Sequence, residues 1–94
     1  MQLSIVVPAH NEAENIAELI RCVESSVPIP HELIVVNDHS VDQTSVIVEE
    51  CARSYPCVRL AHNAFLPGFA NALLTGFGLA QGDCVVPVMA DSCD

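Results

Sequence analysis

Three segments of this sequence pass directly from an apolar run into polar residues that can bind a ligand. They span residues 4–12, 34–44 and 85–91, and the polar part of each contains at least one carboxylate. Short apolar, β-branched runs predict strands, so the polar residues fall at the carboxyl end of each predicted strand. Open α/β sheets bind ligands at that edge. The spacing therefore predicts one site that is built from three strand ends.

Between these junctions the apolar residues recur at helical spacing, so strands and helices alternate along the chain. The predicted strands are Leu3–Val7, Glu32–Asn37, Val58–Ala61 and Cys84–Val88, and the predicted helices are Glu12–Ser25, Asp42–Ser54 and Phe69–Ala80. Alternation with short links predicts a parallel sheet with right-handed crossovers and helices on both faces. We expect one Rossmann-like α/β domain over residues 1–94, with strand order 3-2-1-4 and truncated after strand four. Pro87 is tolerated if strand four lies at the sheet edge.

The composition excludes several classes of function. A chain of 94 residues has room for one domain. Its formal net charge is -9 and it has no Lys, so it lacks the basic surface that nucleic-acid binding requires. No apolar run approaches the roughly 20 residues of a membrane span, and no signal peptide is visible, so we expect a cytoplasmic location. A phosphorylated ligand would need a divalent cation to bridge it to the acidic rim.

Local patterns also predict caps and core residues. Asn11 is the expected N-cap of the first helix, and Ser40 or Asp42 that of the second. The five cysteines form no C-x-x-C pair and are interpreted as small buried apolar residues rather than disulfide partners or zinc ligands, with Cys93, beside the predicted site, as the exception. The residues expected to be buried are Ile16, Ile20, Val35, Ile47, Leu73 and Phe77.

Four motifs follow one another in a recognisable order. The first strand runs into Pro8-Ala9-His10-Asn11-Glu12, and the second runs into Asn37-Asp38-His39-Ser40-Val41-Asp42-Gln43-Thr44. A Gly-containing segment, residues 68–76, leads to Gly82-Asp83 before strand four, which ends in Met89-Ala90-Asp91. Over its whole length the chain resembles the amino-terminal, nucleotide-sugar-binding half of a family-2 glycosyltransferase of the GT-A fold. Within that family it most resembles the dolichol-phosphate (polyprenyl-phosphate) mannose synthases.

The resemblance implies a nucleotide-sugar donor, GDP-mannose or a UDP-sugar, and hexosyl transfer to an acceptor such as polyprenyl phosphate. Carboxylates at Glu12 and Asp38 suit ribose hydroxyls and base N–H groups, which are donors. Asp91 would bind Mg²⁺ or Mn²⁺, because these hard cations prefer oxygen ligands. Contact with a membrane surface is expected only through sequence downstream, as is any catalytic base. The nucleotide-binding residues implied by the resemblance are Pro8, Ala9, His10, Asn11, Glu12, Asp38, Ala90 and Asp91.

The chain departs from the family pattern in places, and alternatives remain open. Met89 stands where the family has the first acid of the metal-binding pair, and residues 63–68 lack a basic residue that the family often carries. His10, His39 and His62 follow strand ends and are interpreted as solvated loop residues rather than a transition-metal site. One alternative is a non-catalytic, truncated or degenerate member of the family. The other is a receiver- or flavodoxin-like signalling domain, which the absence of a late Lys disfavours.

Overall fold

Strands and helices alternate through the computed structural model, which describes residues 2–89. The strands are β1 (Leu3–Ala9), β2 (His31–Asn37), β3 (Val58–His62) and β4 (Cys84–Pro87); the helices are α1 (Ile16–Ser26), α2 (Thr44–Ser54) and α3 (Phe69–Leu79). All strand pairs are parallel, and the sheet order is β3-β2-β1-β4. The predicted Rossmann-like α/β fold and its strand order are confirmed. No helix within residues 2–89 has the length and apolar character needed to cross a membrane.

The central strands are apolar along their length because helices cover both faces of the sheet. Side chains alternate between the faces. On one face Ile5 and Val7 pack with residues of α1 and α2, and on the other Val6 and Val36 pack with Ala72 of α3. Burial on both sides accounts for the continuous Val/Ile runs that parallel sheets require.

The fourth strand lies at an edge of the sheet, as the position of Pro87 requires. β4 pairs only with β1 among the described strands, in a register that sets Pro87 beside Val6. The next residue, Val88, donates its backbone N–H to the carbonyl of Val6 at 2.9 Å. The ladder therefore continues past a proline that has no N–H of its own to donate.

A buried polar network at the amino end of the sheet fixes the link between α3 and β4. The Glu32 carboxylate accepts hydrogen bonds from the Ser4 hydroxyl and the Gln81 N–H, both at 2.6 Å, and Gly82 N–H donates to the Ser4 hydroxyl at 2.7 Å. Burial raises the pKa of Glu32, but these hydrogen bonds and the nearby Arg59 outweigh it, so the net pKa is lowered. A Cβ at residue 82 would lie 2.5 Å from the Ser4 hydroxyl, which explains the glycine before strand four.

Some local predictions are wrong. Helix α1 begins at Ile16 with Asn15 as N-cap, because residues 12–15 form a turn in which the Glu12 carbonyl accepts from Asn15 and Ile16 N–H. Asn11 instead has a φ of 53° and is not a cap. Phe77, expected in the core, is 42% exposed, because α3 covers the sheet with its small residues.

The other packing expectations hold in part. Ile16, Ile20 and Val35 are fully buried, whereas Ile47 and Leu73 are only partly buried. Gln43, not Ser40 or Asp42, occupies the N-cap position of α2, although Asp42 accepts the N–H of the first helical residue.

Candidate functional site

A small cavity opens at the carboxyl ends of β1, β2 and β4. Its volume is about 150 Å³. It lies where the strand order reverses direction, because successive strands run from β1 to β2 and β3 on one side and β4 follows on the other. This is the topological switch point, where doubly wound sheets bind ligands. The lining residues are Pro8, Ala9, His10, Glu12, Asp38, Phe69 and Met89.

The loop after β1 is held by side chains of the loop after β2. Three successive backbone N–H groups of the first loop donate to side-chain oxygens of the second: Asn11 to Ser40 at 2.9 Å, Glu12 to Thr44 at 2.9 Å and Ala13 to Asp42 at 3.2 Å. In return, the Asn11 side-chain carbonyl accepts the N–H of Val41 at 2.8 Å. The two loops thus form one rigid wall, and the polar residues predicted to serve as turns and caps also position Glu12.

Asp42 contributes a fixed negative charge to this wall. The Thr44 hydroxyl donates to its carboxylate, and this bond has the largest effect in lowering the pKa of Asp42. Desolvation raises the pKa by less, and the N–H groups of Thr44 and Ala13 lower it further. Asp42 is therefore ionised at neutral pH. Its oxygens are occupied by the two loops, and it does not line the cavity.

Asp38 lies at the end of β2 and holds the loop that leads into α3. Its carboxylate accepts the Gly68 N–H, at 3.1 Å to each oxygen, and the side-chain amide of Asn63 at 2.8 Å. The carboxylate faces the N-terminus of α3, where the helix dipole favours negative charge. Gly68 has a φ of 146°, a conformation that strains residues with a side chain. Asp38 is only 7% exposed, so it is a structural residue as well as a wall of the cavity.

Asn63 is a residue of this region that the sequence reasoning missed. It is 8% exposed and lies directly after β3, so the same strand-end rule could have found it. Its side-chain carbonyl accepts the Phe65 N–H at 2.9 Å and the Thr75 hydroxyl at 3.2 Å, while its amide also reaches the Leu66 carbonyl at 3.0 Å. Asn63 thereby orders the whole loop before α3. Phe69, which lines the cavity, was also not predicted.

The rim histidines contact polar groups of neighbouring segments. His10 Nδ1 lies 2.6 Å from the Asp38 carbonyl, and His39 Nε2 lies 3.0 Å from the Phe65 carbonyl. His62 contacts the Asn37 amide. Among residues 2–89 these histidines belong to no group of three close metal-ligand atoms. His10 is not merely a solvated loop residue, because its ring contacts the end of β2.

The electrostatics of the cavity are acidic. The Glu12 carboxylate has no hydrogen-bond or ion-pair partner within residues 2–89. The three Arg side chains lie elsewhere: Arg21 pairs with Glu18, Arg59 approaches Glu32, and Arg53 lies in the last turn of α2. The cavity can therefore accept hydrogen bonds from a ligand, but within residues 2–89 it offers no Arg or Lys side chain to a phosphate group.

The structure brings five of the predicted nucleotide-binding residues together. Asn11 adjoins the cavity without lining it, because its side chain ties the two loops together. Ala90 and Asp91 lie outside the described residues. The predicted residues that line the cavity are Pro8, Ala9, His10, Glu12 and Asp38.

Comparison with known proteins identifies the family. The family described as Glycosyl transferase family 2 matches residues 4–94. The chain belongs to this family. The resemblance inferred from the motifs is confirmed, and a receiver-like signalling domain is thereby excluded.

Two of the similar proteins are named as sugar transferases. A dolichol-phosphate mannosyltransferase of Pyrococcus furiosus is 33% identical over 92 residues, which are 97% of this chain and 26% of that protein. A bactoprenol glucosyl transferase of Shigella phage SfV is 34% identical over 99 residues, which cover all of this chain and 32% of that protein. The chain thus spans about a quarter to a third of the length of these relatives.

Solved structures of GT-A glycosyltransferases share the fold. A mannosyltransferase of Pyrobaculum calidifontis, in complex with GDP-Man and Mn²⁺, has a TM-score of 0.86 and 31% identity over 95% of this chain and 27% of its own. A glucosyl-3-phosphoglycerate synthase of Mycobacterium tuberculosis, in complex with Mn²⁺ and UDP, has a TM-score of 0.79 and 28% identity over 96% of this chain and 33% of its own.

Proposed function

We propose that the cavity at the switch point binds the nucleoside part of a nucleotide-sugar donor, GDP-mannose or a UDP-sugar. The donor would supply a hexose for transfer to an acceptor such as polyprenyl phosphate. The nucleotides in the two similar solved structures, and the acceptors named in the two relatives, support these choices.

The observation that carries the proposal is the Glu12 carboxylate, which has no partner among residues 2–89 and lines a cavity with apolar walls. Ribose hydroxyls and base N–H groups are donors, and a carboxylate is an acceptor only. Phe69 and Met89 offer apolar surface to a planar base on the same cavity. The volume, about 150 Å³, is below the roughly 300–1,000 Å³ of complete small-molecule sites, so it suits a ring system rather than a whole nucleotide sugar.

The diphosphate of such a donor requires a cation that the cavity's side chains do not supply. The oxygen donors at the rim, Glu12 and Asp38, are of the type that Mg²⁺ and Mn²⁺ prefer, whereas the Met89 thioether is not. We propose that Asp91 holds the cation, in line with the Mn²⁺ of the similar structures. When bound, the cation would neutralise charge on the diphosphate leaving group.

A polyprenyl phosphate acceptor is compatible with the lack of an assigned catalytic base. Its phosphate oxygen is already anionic near neutral pH and can attack the anomeric carbon of the sugar directly. The bond from that carbon to the nucleoside diphosphate breaks, and the diphosphate leaves. In this proposal the residues of the chain bind and orient the donor, and no proton transfer from a side chain is needed.

The test is a calorimetric titration with GDP and with UDP, each in Mn²⁺ and in EDTA. Glu12→Gln should weaken nucleotide binding by at least about tenfold, the value of a hydrogen bond to a charged group. Glu14→Gln removes the same charge from an exposed position on the same loop and should leave binding unchanged. Asp91→Asn should abolish the gain from Mn²⁺.

Two results would contradict the proposal. Equal nucleotide affinity in Mn²⁺ and in EDTA would show that no cation takes part in donor binding. Equal effects of the Glu12 and Glu14 substitutions would show that the cavity is not the nucleoside site, and the non-catalytic alternative would then take its place.

A further inference from the structure

A second group of ligand-type side chains lies at the amino ends of β2 and β3, whereas the cavity lies at the carboxyl ends of the strands. Glu24 lies near the end of α1, His31 begins β2, and Cys57 directly precedes β3. Their ligand atoms all lie within 4.8 Å of one another, and within residues 2–89 no other three His, Cys, Asp or Glu side chains do so. The fold thus joins a thiol, an imidazole and a carboxylate from three elements.

These three side chains already contact one another directly. The Cys57 thiol donates to Glu24 Oε1 at 2.8 Å, and His31 Nε2 lies 2.7 Å from Glu24 Oε2. Cys57 Sγ lies 3.7 Å from His31 Nε2. The side chains of His31 and Glu24 are only 9% and 10% exposed, so the group is largely shielded from water. The interpretation of Cys57 as a merely apolar residue is therefore wrong.

We propose that Glu24, His31 and Cys57 form a zinc site of the Cys-His-Glu type with an open fourth position. A tetrahedral Zn²⁺ with bonds of about 2.3 Å to sulfur and about 2.0 Å to nitrogen separates those two atoms by roughly 3.6 Å. The observed sulfur–nitrogen separation is 3.7 Å. Only the Glu24 carboxylate must move, by less than about 1 Å away from the other two ligand atoms. It would then exchange its hydrogen bonds to His31 and Cys57 for a bond to the metal.

The surroundings of His31 orient its ring for this role. Its Nδ1 lies 2.9 Å from the Ile29 carbonyl, which fixes the Nδ1–H there and directs Nε2 at the other two ligands. A backbone carbonyl on the far nitrogen is the usual support of a metal-binding histidine. The Cys57 backbone is fixed as well, because its carbonyl accepts the Leu33 N–H at 2.9 Å.

The ligand types favour zinc over harder cations. Thiolate, imidazole and carboxylate are all ligands that Zn²⁺ binds in proteins, and the imidazole and the thiol each give up a proton when they bind it. Mg²⁺ and Mn²⁺ are poorly suited to the thiolate.

The first experiment is a Co²⁺ titration of the reduced protein without nucleotide, followed by displacement with Zn²⁺. Thiolate coordination should produce a ligand-to-metal charge-transfer band that Zn²⁺ removes. Cys57→Ser should abolish the band, and His31→Gln should weaken Zn²⁺ binding by at least about tenfold. Cys84→Ser, which removes an exposed thiol outside the group, should leave both unchanged.

A measurement on the unaltered protein guards against variants that do not fold. Zn²⁺ should slow alkylation of Cys57, followed by mass spectrometry of its peptide, and should not slow that of Cys84. Any of three results would overturn the zinc site. The charge-transfer band could be absent, Cys57→Ser and Cys84→Ser could weaken the band equally, or Zn²⁺ could leave the alkylation rate of Cys57 unchanged. None of these results depends on nucleotide binding in the cavity at the carboxyl ends of the strands.

Discussion

Two glycines of α3 should respond to the same substitution with opposite signs. Gly76 is buried against the sheet, and a Cβ there would come well within 3.0 Å of Val6 Cγ1 and 3.2 Å from Val36 Cγ2. Gly78 lies two residues later on the exposed side of the helix, and a Cβ there would meet nothing within 4 Å. Alanine at either position removes the backbone freedom of glycine, so only the steric contact distinguishes them.

The magnitudes follow from two opposing effects. Replacing Gly by Ala in a helix gains about 0.8–1.0 kcal/mol. At Gly76 the new methyl lies more than about 1 Å inside the ordinary contact distance, and Val6 is fully buried with little rotamer freedom. Overpacking of this kind costs about 1–3 kcal/mol, occasionally more. We expect Gly76→Ala to destabilise the fold by up to about 2 kcal/mol and Gly78→Ala to stabilise it by up to about 1 kcal/mol.

Urea unfolding followed by far-UV circular dichroism gives both free energies of unfolding. The difference between the two variants isolates the steric cost, because the helix-propensity gain is common to both. Adding Val6→Ala to Gly76→Ala removes the methyl groups in conflict, so the double variant should be more stable than the sum of the single effects predicts. If Gly76→Ala stabilised the fold as much as Gly78→Ala, the close packing of α3 on β1 would be refuted.

Three further predictions concern the polar groups. Because the folded pKa of Glu32 lies below its ordinary 4.5, its charge stabilises the fold above that pH and the effect is lost as pH falls through the lowered pKa. Glu32→Gln should therefore lower the free energy of unfolding by about 1–3 kcal/mol at neutral pH and reduce the loss of stability below pH 4.5. Urea titrations over a pH series measure both effects, and an unchanged pH profile would contradict this role of Glu32. Asn63→Ala should cost about 1–3 kcal/mol and speed hydrogen exchange at the Gly68 amide, and unaltered exchange would show that Asn63 does not order the loop. Met89→Asp should increase the effect of Mn²⁺ on GDP affinity in calorimetry; no increase would count against a metal ligand at this position.

The sequence alone determined the architecture and the edge at which the cavity lies. Apolar periodicity is a local property, and short links between strands and helices leave few topologies, so the alternation and the parallel sheet could be predicted. The strand-end rule placed Glu12 and Asp38 correctly at the carboxyl ends of β1 and β2. These features depend on residues close together in the chain.

Tertiary structure decided how those residues are used. Asn11 was expected to cap a helix, but it binds the loop after β2, about 30 residues away, because side-chain hydrogen bonds between loops override a local capping preference. The exposure of Phe77 depends on how closely Gly76 lets α3 approach the sheet. Glu24, His31 and Cys57 meet because the end of α1 and the starts of β2 and β3 converge. No local spacing in the sequence specifies that convergence.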